Sequence, residues 1–403
     1  MDYKGIEYLR GKLASKTSRI DARYRSYEMK HMADDFRIST PPQLRWWMYP
    51  LGWCGKAVDS LADRLVFDSF ANDAYGINGI YNLNNKDILI RSAILGALIC
   101  SCSFIYISEN GEGFPMMQVI DAKRATGVID PITNMLTEGY AILEADENGR
   151  PVLEAHLKPH ETDIYSHGEF VQTYRHPAPY PLLVPVIYRP DAKRPFGHSR
   201  ISRACMAIVD GAARTAKRSE ISAEFYSFPQ RYVLGMDPDA EQLEKWQITM
   251  SSLLRIDKDD DGDKPAVGQF AQQSMAPHLD QLKMFAGLFA GETGLTLDDL
   301  GFPSQNPSSS EAIKASHETL RLIARGAQKD FAVGLLNAGY LAACLRDGVE
   351  YKRNQLYETE VRWEPIFEPD VSALSGVGDA VQKIQSAFPE YFTEDKLREL
   401  TGI

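Results

Sequence analysis

"FPSQNPSSSEAIKASHETLRLIARGAQKDF", residues 302–331, sets a polar, turn-forming run directly before a long helical pattern. From Gly301 to Ser310 there is no acid, base, His or Cys, so the run holds no group for acid–base, nucleophilic or metal chemistry. Ser308 and Glu311 then form an S-x-x-E capping box, which satisfies backbone donors at a helix start. Ile313, Ser316, Leu320, Ile323, Ala327, Phe331, Leu335, Ala338, Ala342 and Leu345 recur at three and four, and Gly348 supplies a stop. An unbroken helix over 311–347 would be roughly 55–60 Å long at 1.5 Å per residue. That exceeds the ~30 Å of a small domain, so its ends are expected to meet different surroundings.

Two more helical patterns precede the loop. "HLDQLKMFAGLFAGETGL" (278–295) is one. "HSRISRACMAIVDGAARTAKRSEISAEFYS" (198–227) is the other, with Ile201, Cys205, Ile208, Ala212, Thr215 and Ser219 along one stripe. Arg214, Lys217, Arg218 and Glu220 decorate the rest of that helix. Between the two lie a strand, a short helix at about 238–251, an acidic loop and another strand. Residues 1–35 read as two helices, followed by a Pro- and Trp-rich connection at 38–55. "KAVDSLADRLVFDSF" (56–70) places Val58, Leu61, Ala62 and Leu65 on one helical face, and "AILGALICSCSFIYI" (93–107) reads as a buried helix followed by a strand. From 104 to 190 the pattern is one of short antiparallel strands, including an Asn-Gly hairpin in "ADENGRPVLEAHL". A strand at 357–370 and two short helices over 375–403 complete an α+β chain.

The 403 residues suffice for two or three domains, and 44% hydrophobic with 25% charged residues is ordinary for a folded soluble protein. No run reaches eighteen apolar residues, so no membrane span is expected, and "MDYKGIEYLRGKL" lacks the apolar core of a secretion signal. Five cysteines without a CxxC pair are read as free thiols in a reducing cytoplasm, with Cys100 and Cys102 alternating on a strand. A net charge of −11 argues against a protein that coats nucleic acid, though not against one that lets it slide past.

Several patterns imitate chemistry. "DKDDDGDKPAVG" (257–268) starts like a calcium loop with Asp257, Asp259, Asp261 and Gly262. It then places Lys264 and Gly268 where an aliphatic residue and the bidentate Glu belong, so a solvated acidic tip with at most weak cation binding is expected. His156, His160, His167 and His176 match no zinc spacing and are read as surface residues. Pairs such as Asp34–Asp35 and Asp298–Asp299 specify nothing. No P-loop, nucleophile-elbow or H-E-x-x-H signature occurs. No catalytic residue, metal site or cofactor is expected, and the chain is not read as an enzyme.

The order of elements resembles the portal (head–tail connector) proteins of tailed bacteriophages. Val58, Asp59, Arg64 and Leu65 look like that family's "VD-x-x-x-x-RL" helix. "FGHSRISRACMAIVDGAARTAKRSEISAEFYSFPQRYVLG" (196–235) looks like its "G-x-S-x-I" opening followed by "PQR-x-x-x-G". "GFPSQNPSSSEAIKASHETL" resembles the segment where a Pro-containing turn precedes "NP-x-S-x-EAI". The likeness spans roughly 56 to 348, its three motifs in order.

The resemblance implies a portal-like subunit with an α/β wing, a two-helix stem, a small α/β clip insertion, a tunnel loop and a long wing helix. Residues 1–196 would be the N-terminal part of the wing, 197–227 stem helix one, 228–277 the clip and 278–297 stem helix two. Residues 298–310 would be the tunnel loop, 311–370 the long helix and returning wing strand, and 371–403 a reduced crown. It further implies a ring of self-associated copies, twelve in the virion, at one capsid vertex. Double-stranded DNA passes through such a ring, which contacts the terminase large subunit, the head–tail adaptor, the major capsid protein and the scaffolding protein, and which assembles in the host cytoplasm. Gln305, Asn306, Ser308, Ser309 and Ser310 would then offer DNA transient hydrogen bonds without ionic grip.

Arg214, Lys217 and Arg218 either line the channel or pair across subunits. Lys314, Arg321, Arg325 and Lys329 form a stripe with the fates of solvated face, intersubunit salt bridge or DNA contact. The insertion 237–264, with nine acids against four bases, would present Glu241, Glu244, Lys245 and Asp259 to a docking partner. Trp46, Trp47, Met48, Tyr49 and Trp53 are either subunit contacts or wing core. Two other readings remain open on sequence alone: a different virion structural or adaptor protein, and a cytosolic enzyme with a metal in the histidine region.

Overall fold

The computed structural model describes residues 3–31, 40, 42–47, 49–227, 231–234, 266–269, 274–303, 313, 315–367 and 371–387. The chain divides into two compact units. One holds Met1–His31, Gly52–Met206 and Ala290–Ile403; the other holds Met32–Leu51 and Ala207–Phe289. Among the described residues the chain is a mixture of helix and antiparallel sheet.

In the first unit a single helix, α1 (Ile6–Tyr27), occupies most of the stretch read as two. It is followed by α2 (Trp53–Ala62), β1 (Phe67–Ala71), α3 (Ile77–Leu83) and α4 (Lys86–Cys100). The strands β2 (Cys102–Glu109), β3 (Pro115–Asp121) and β9 (Leu183–Ile187) form a sheet in the order β3-β2-β9. Cys100 closes α4 and Cys102 opens β2, because Ser101 at φ 87 breaks the chain between them, so the two thiols do not alternate on a strand. All five cysteines are free and buried.

Register explains how this sheet is covered. Ser103 and Val186 are paired and share a face. The Ser103 hydroxyl donates to the Ala93 carbonyl of α4 (2.6 Å), and Val186 lies against Gly334 of the later helix α7 (Glu318–Asp347). A Cβ at Gly334 would stand 2.9 Å from the Pro185 carbonyl, so only glycine lets α7 sit this close. The opposite face presents Leu183, paired with Tyr106, to Gly139 of a second sheet. That sheet is the meander β4 (Ala125–Ile129), β5 (Leu136–Ala145), β6 (Pro151–Lys158), β7 (Glu161–Ser166) and β8 (Glu169–Arg175). The Asn-Gly hairpin is present between β5 and β6, with Gly149 at φ 77 and Pro151 paired to Ala145 at the strand start, where a missing N–H is tolerated.

Helix α1 lies on the meander through Leu9 and Leu13 against Tyr140. Its start is fixed by a distant residue: the buried Glu138 carboxylate accepts from the Lys4 and Gly5 N–H groups at 2.9 and 2.8 Å. An acid there complements the positive end of the helix.

In the second unit, α5 (Arg203–Ser227) and α6 (Ala276–Thr293) contribute their residues 207–227 and 276–289. Helix α5 starts five residues later than the pattern suggested, because 198–202 is held by side-chain bonds described below. Gly211 takes the Phe285 ring where a Cβ would lie 2.7 Å from it. The ladder β10 (Arg231–Leu234) with β11 (Ala266–Gln269) flanks the insertion, of which 235–265 lies outside the described residues.

Helix α7 has 30 residues, roughly 45 Å at 1.5 Å per residue rather than 55–60 Å. It starts after a turn at His317 and stops at Gly348, φ 66. The Ser308–Glu311 capping box lies outside the described residues. The strand β12 (Glu360–Trp363) pairs with β1, and one helix, α8 (Val371–Ala387), follows among the described residues.

Candidate functional site

The polar run of residues 304–312, with Gln305, Asn306, Ser308, Ser309 and Ser310, lies outside the described residues, as do Lys314, Met48, Glu241, Glu244, Lys245 and Asp259. What the fold does show is the base from which that run departs and to which it returns. On the departing side, Gly294 ends α6 at φ 70, and a Cβ there would approach Ile323 and Thr319 of α7 at 2.9 and 3.0 Å. The Asp299 carboxylate accepts from the Thr296 N–H (2.9 Å) and hydroxyl (2.8 Å), and the buried Leu300 anchors the turn. Gly301 at φ 89 then allows the Phe302 N–H to reach the Leu297 carbonyl at 3.0 Å.

On the returning side, His317 lies with Nδ1 3.8 Å from the Asp299 carboxylate, so both ends of the run meet at one place. The His317 ring centroid is 6.3 Å from that of Phe367, whose other neighbour is the Arg64 guanidinium, 4.3 Å from the ring centre. Arg64 also donates to the Ile366 carbonyl (3.4 Å), while Asp59 accepts from the Tyr27 hydroxyl (2.9 Å). The "VD-x-x-x-x-RL" residues thus tie α1, α2 and the C-terminal segment to the loop base.

The second motif reaches the same place. Gly197 at φ 73 brings the backbone onto Tyr188, and the His198 N–H bonds the Tyr188 carbonyl at 2.9 Å. The Ser199 hydroxyl donates to the Ile99 carbonyl at 2.5 Å and accepts from the Ile201 N–H at 3.0 Å. Between them stands Arg200, only 7% exposed. Its N–H bonds the Leu98 carbonyl (2.8 Å), Nε the Ala57 carbonyl (3.2 Å) and Nη2 the Thr293 carbonyl (2.5 Å). Arg200 therefore joins α4 through its backbone, and α2 and the end of α6, one residue before Gly294, through its guanidinium. Arg200→Leu is expected to cost about 3 kcal/mol of stability, the scale of losing charge-assisted bonds in the interior. Arg200→Lys, with no fork, should recover less than half. Urea unfolding of the two variants checks this, and equal recovery by Lys would exclude the fork.

The predicted basic residues have more structural occupations than expected. Lys217 is buried, its ammonium donating to the Arg45 carbonyl (3.3 Å) within the second unit. Arg214 and Arg218 are half-buried and also engaged. Arg321 forms a fork with Glu318 one turn away at 2.6 Å, which raises its pKa and lowers that of the glutamate. Arg325 and Lys329 are exposed. Of the aromatic run, Trp53 is core, Trp46 is 75% exposed, and Trp47 meets Tyr49 edge-on with ring centroids 6.2 Å apart.

The histidine region is corrected in one respect. His156 is buried, not on the surface, with Nε2 2.7 Å from Glu138, because its strand position faces the polar network under α1. Burial, reinforced by nearby His160, pushes His176 down to about 4. Among the described residues no group of three or more His, Cys, Asp or Glu is placed to hold a metal ion, and no helix is long and apolar enough to cross a membrane.

Sequence reasoning missed Arg200, Asp299, His317 and Phe367. The T-x-x-D spacing of Thr296 and Asp299 was the available signal, a side-chain-capped turn hidden in an acidic pair dismissed as uninformative.

No family model matches the chain. It is 27% identical over 345 residues to the portal protein of Mycobacterium phage L5, covering 80% of this chain and 68% of that one. It is 26% identical over 382 residues to the portal protein of Mycobacterium phage D29, covering 89% and 77%. Among solved structures, a chain in the neck of an empty gene transfer agent particle computed with C6 symmetry shares the fold. The TM-score is 0.50 at 12% identity, over 94% of this chain and 97% of that chain. The three motifs and these relatives agree in what the chain is similar to: the portal, or head–tail connector, proteins of tailed bacteriophages.

Proposed function

We propose that this chain is one subunit of a ring at a single capsid vertex of a virion, twelve copies surrounding a channel for double-stranded DNA during packaging and ejection. In this reading residues 1–196 and 349–370 form the wing, 197–227 and 278–297 the stem helices, and 228–277 the clip. Residues 298–310 are the tunnel loop, 311–347 the long wing helix, and 371–403 a reduced crown. The ring docks the terminase large subunit and later the head–tail adaptor, and during assembly in the host cytoplasm it meets scaffolding and major capsid protein.

The observation that carries this reading is the loop base. The chain leaves from Asp299, runs without charge from Gly301 to Ser310 and returns at His317, on a framework held by Arg200 and Arg64. A conduit needs side chains that touch a duplex without holding it, because every fixed phosphate contact releases counterions and strengthens retention. A rigid base carrying a segment without charge from Gly301 to Ser310 meets that need. The second unit supports assembly. Its helix α6 buries Phe289 and Ala286 yet exposes Met284 (51%) and Leu288 (54%) one turn apart, an apolar pair suited to a neighbouring copy.

The direct test replaces Ser308, Ser309 and Ser310 by Lys. Three cations per copy, repeated around a ring, would grip the phosphates, and packaged DNA should fall roughly tenfold or more while assembly is retained. Unaltered packaging by rings of normal appearance would remove the loop from the channel. Negative-stain images lacking any annular particle would remove the ring.

A further inference from the structure

We propose that one face of α1, together with Arg194 and Arg203, is a phosphate-binding surface for duplex DNA separate from the polar loop. Lys12, Lys16, Arg19 and Arg23 follow one another at four, three and four residues, so they share one face over roughly 16 Å of helix. Lys12 and Lys16 both set their ammonium groups over the Phe196 ring, 5.1 and 4.8 Å from its centre. Arg23 reaches the Ile201 carbonyl at 3.4 Å, which brings it beside the exposed Arg194 and Arg203. The cations are gathered by an aromatic ring and by backbone carbonyls, not by acids.

The energetics of this cluster are unfavourable in the free protein. Burial, with Lys16 and Lys4 nearby, brings Lys12 down to about 8. Burial likewise lowers Lys16, with Arg19 adding to the effect, and lowers Arg23, with Arg19, Arg203 and Arg194 adding. No carboxylate figures among the main influences on any of the three. The neighbouring acids are engaged elsewhere: Glu7 with Arg10 (2.5 Å), Asp21 with Lys123 (2.8 Å) and Asp191 with His198 (2.5 Å). Asp191 also accepts from the Arg194 N–H (2.6 Å), so one acid borders six cations, and in a chain of net charge −11 this surface is positive. An anion seated there would favour the charged forms and relieve the mutual repulsion.

The linear arrangement selects the shape of that anion. A duplex backbone is a continuous row of phosphates, so a row of four cations over roughly 16 Å can meet up to four of them where it follows that backbone. A single small anion would leave most of the row unanswered. The choice of duplex over another polyanion rests on the DNA-handling role proposed above, with this surface meeting DNA outside the channel, where retention does not arrest passage.

The test uses the full chain and a fluorescein-labelled random 30-base-pair duplex, read by anisotropy between 50 and 200 mM NaCl. Four phosphate contacts predict a log–log salt slope of about −3.6. Because Arg19, Arg194 and Arg203 are exposed, the triple variant Arg19→Glu, Arg194→Glu, Arg203→Glu should fold normally by circular dichroism. It should bind at least about tenfold more weakly with a flatter slope. Reversing three exposed cations elsewhere, Lys56→Glu, Arg150→Glu and Arg175→Glu, should leave both quantities nearly unchanged. An unaltered affinity and slope in the first variant would overturn the proposal. So would equal competition by polyglutamate of matched charge, which would assign the surface to an acidic polypeptide. Images of the same samples report the ring independently, so failure of the assembly reading and failure of this contact are separately visible.

Discussion

Gly197→Ala is expected to destabilise the protein by about 4 kcal/mol or to prevent folding, the range reached only when strain and a close contact combine. A Cβ at this position would stand 2.1 Å from the Tyr188 carbonyl oxygen and 2.8 Å from Ile187 Cγ2. The carbonyl has little freedom to withdraw. It accepts from the His198 N–H at 2.9 Å, while the Tyr188 N–H is bonded to the Ser101 carbonyl at 2.9 Å and its ring is stacked on Phe331 of α7. The backbone at φ 73 also belongs to the region L side chains avoid. Gly149→Ala separates the two causes. Its φ is 77, but nothing lies within 4 Å of the added carbon, so it should cost only about 1 kcal/mol. Urea denaturation of both variants measures the difference. Equal losses would mean that φ alone, and not the contact with Tyr188, makes glycine necessary.

Removing the Glu154 side chain has the next largest expected effect, about 3 kcal/mol for Glu154→Ala, at the low end for breaking an interior ion pair because Arg10 is about a quarter exposed. The carboxylate is 3% exposed and holds three groups. It accepts from Arg10 Nε at 3.0 Å and Nη2 at 2.6 Å and from the Tyr140 hydroxyl, so it ties α1 to β5 and β6. Burial alone would raise its pKa, but the bonds from Arg10 and Tyr140 with the Arg10 charge hold it below its ordinary 4.5. Its contribution is therefore complete above that value and is lost as pH falls through the lower folded value. The stability gap between the wild type and Glu154→Gln should narrow on acidification below about pH 5. A gap constant from pH 7 to pH 3 would show that the carboxylate charge contributes nothing.

These two sites differ in how far the sequence foretold them. Gly197 stands in a motif readable as a string, and its neighbours Ser199 and Ile201 are where a tight turn into a helix would need them. Glu154 gives no local sign: it is one acid in a strand, and Arg10, 144 residues away, decides its role. His156 reads as a surface residue in sequence because strand alternation does not say which face a helix will cover. Lys217 sat among polar positions of α5 and proved buried, since its carbonyl partner comes from residue 45. The long helix was legible in its stripe and its stop at Gly348; the turn at His317 beside Asp299 was not, and the Ser308–Glu311 start lies outside the described residues.

The sequence by itself determined the helical stripes, the alternating strands, the hairpin, the glycine stops and the family likeness, because each is written within a few turns or strand pairs of chain. Only the tertiary structure decided that Arg64, Arg200, Asp299 and His317 meet at one loop base, and that Lys12, Lys16, Arg19 and Arg23 of α1 gather on a face without a paired acid. Periodicity reports that a face is buried. It carries no information on which distant residue covers that face, and charges and hydrogen bonds take their meaning from that partner.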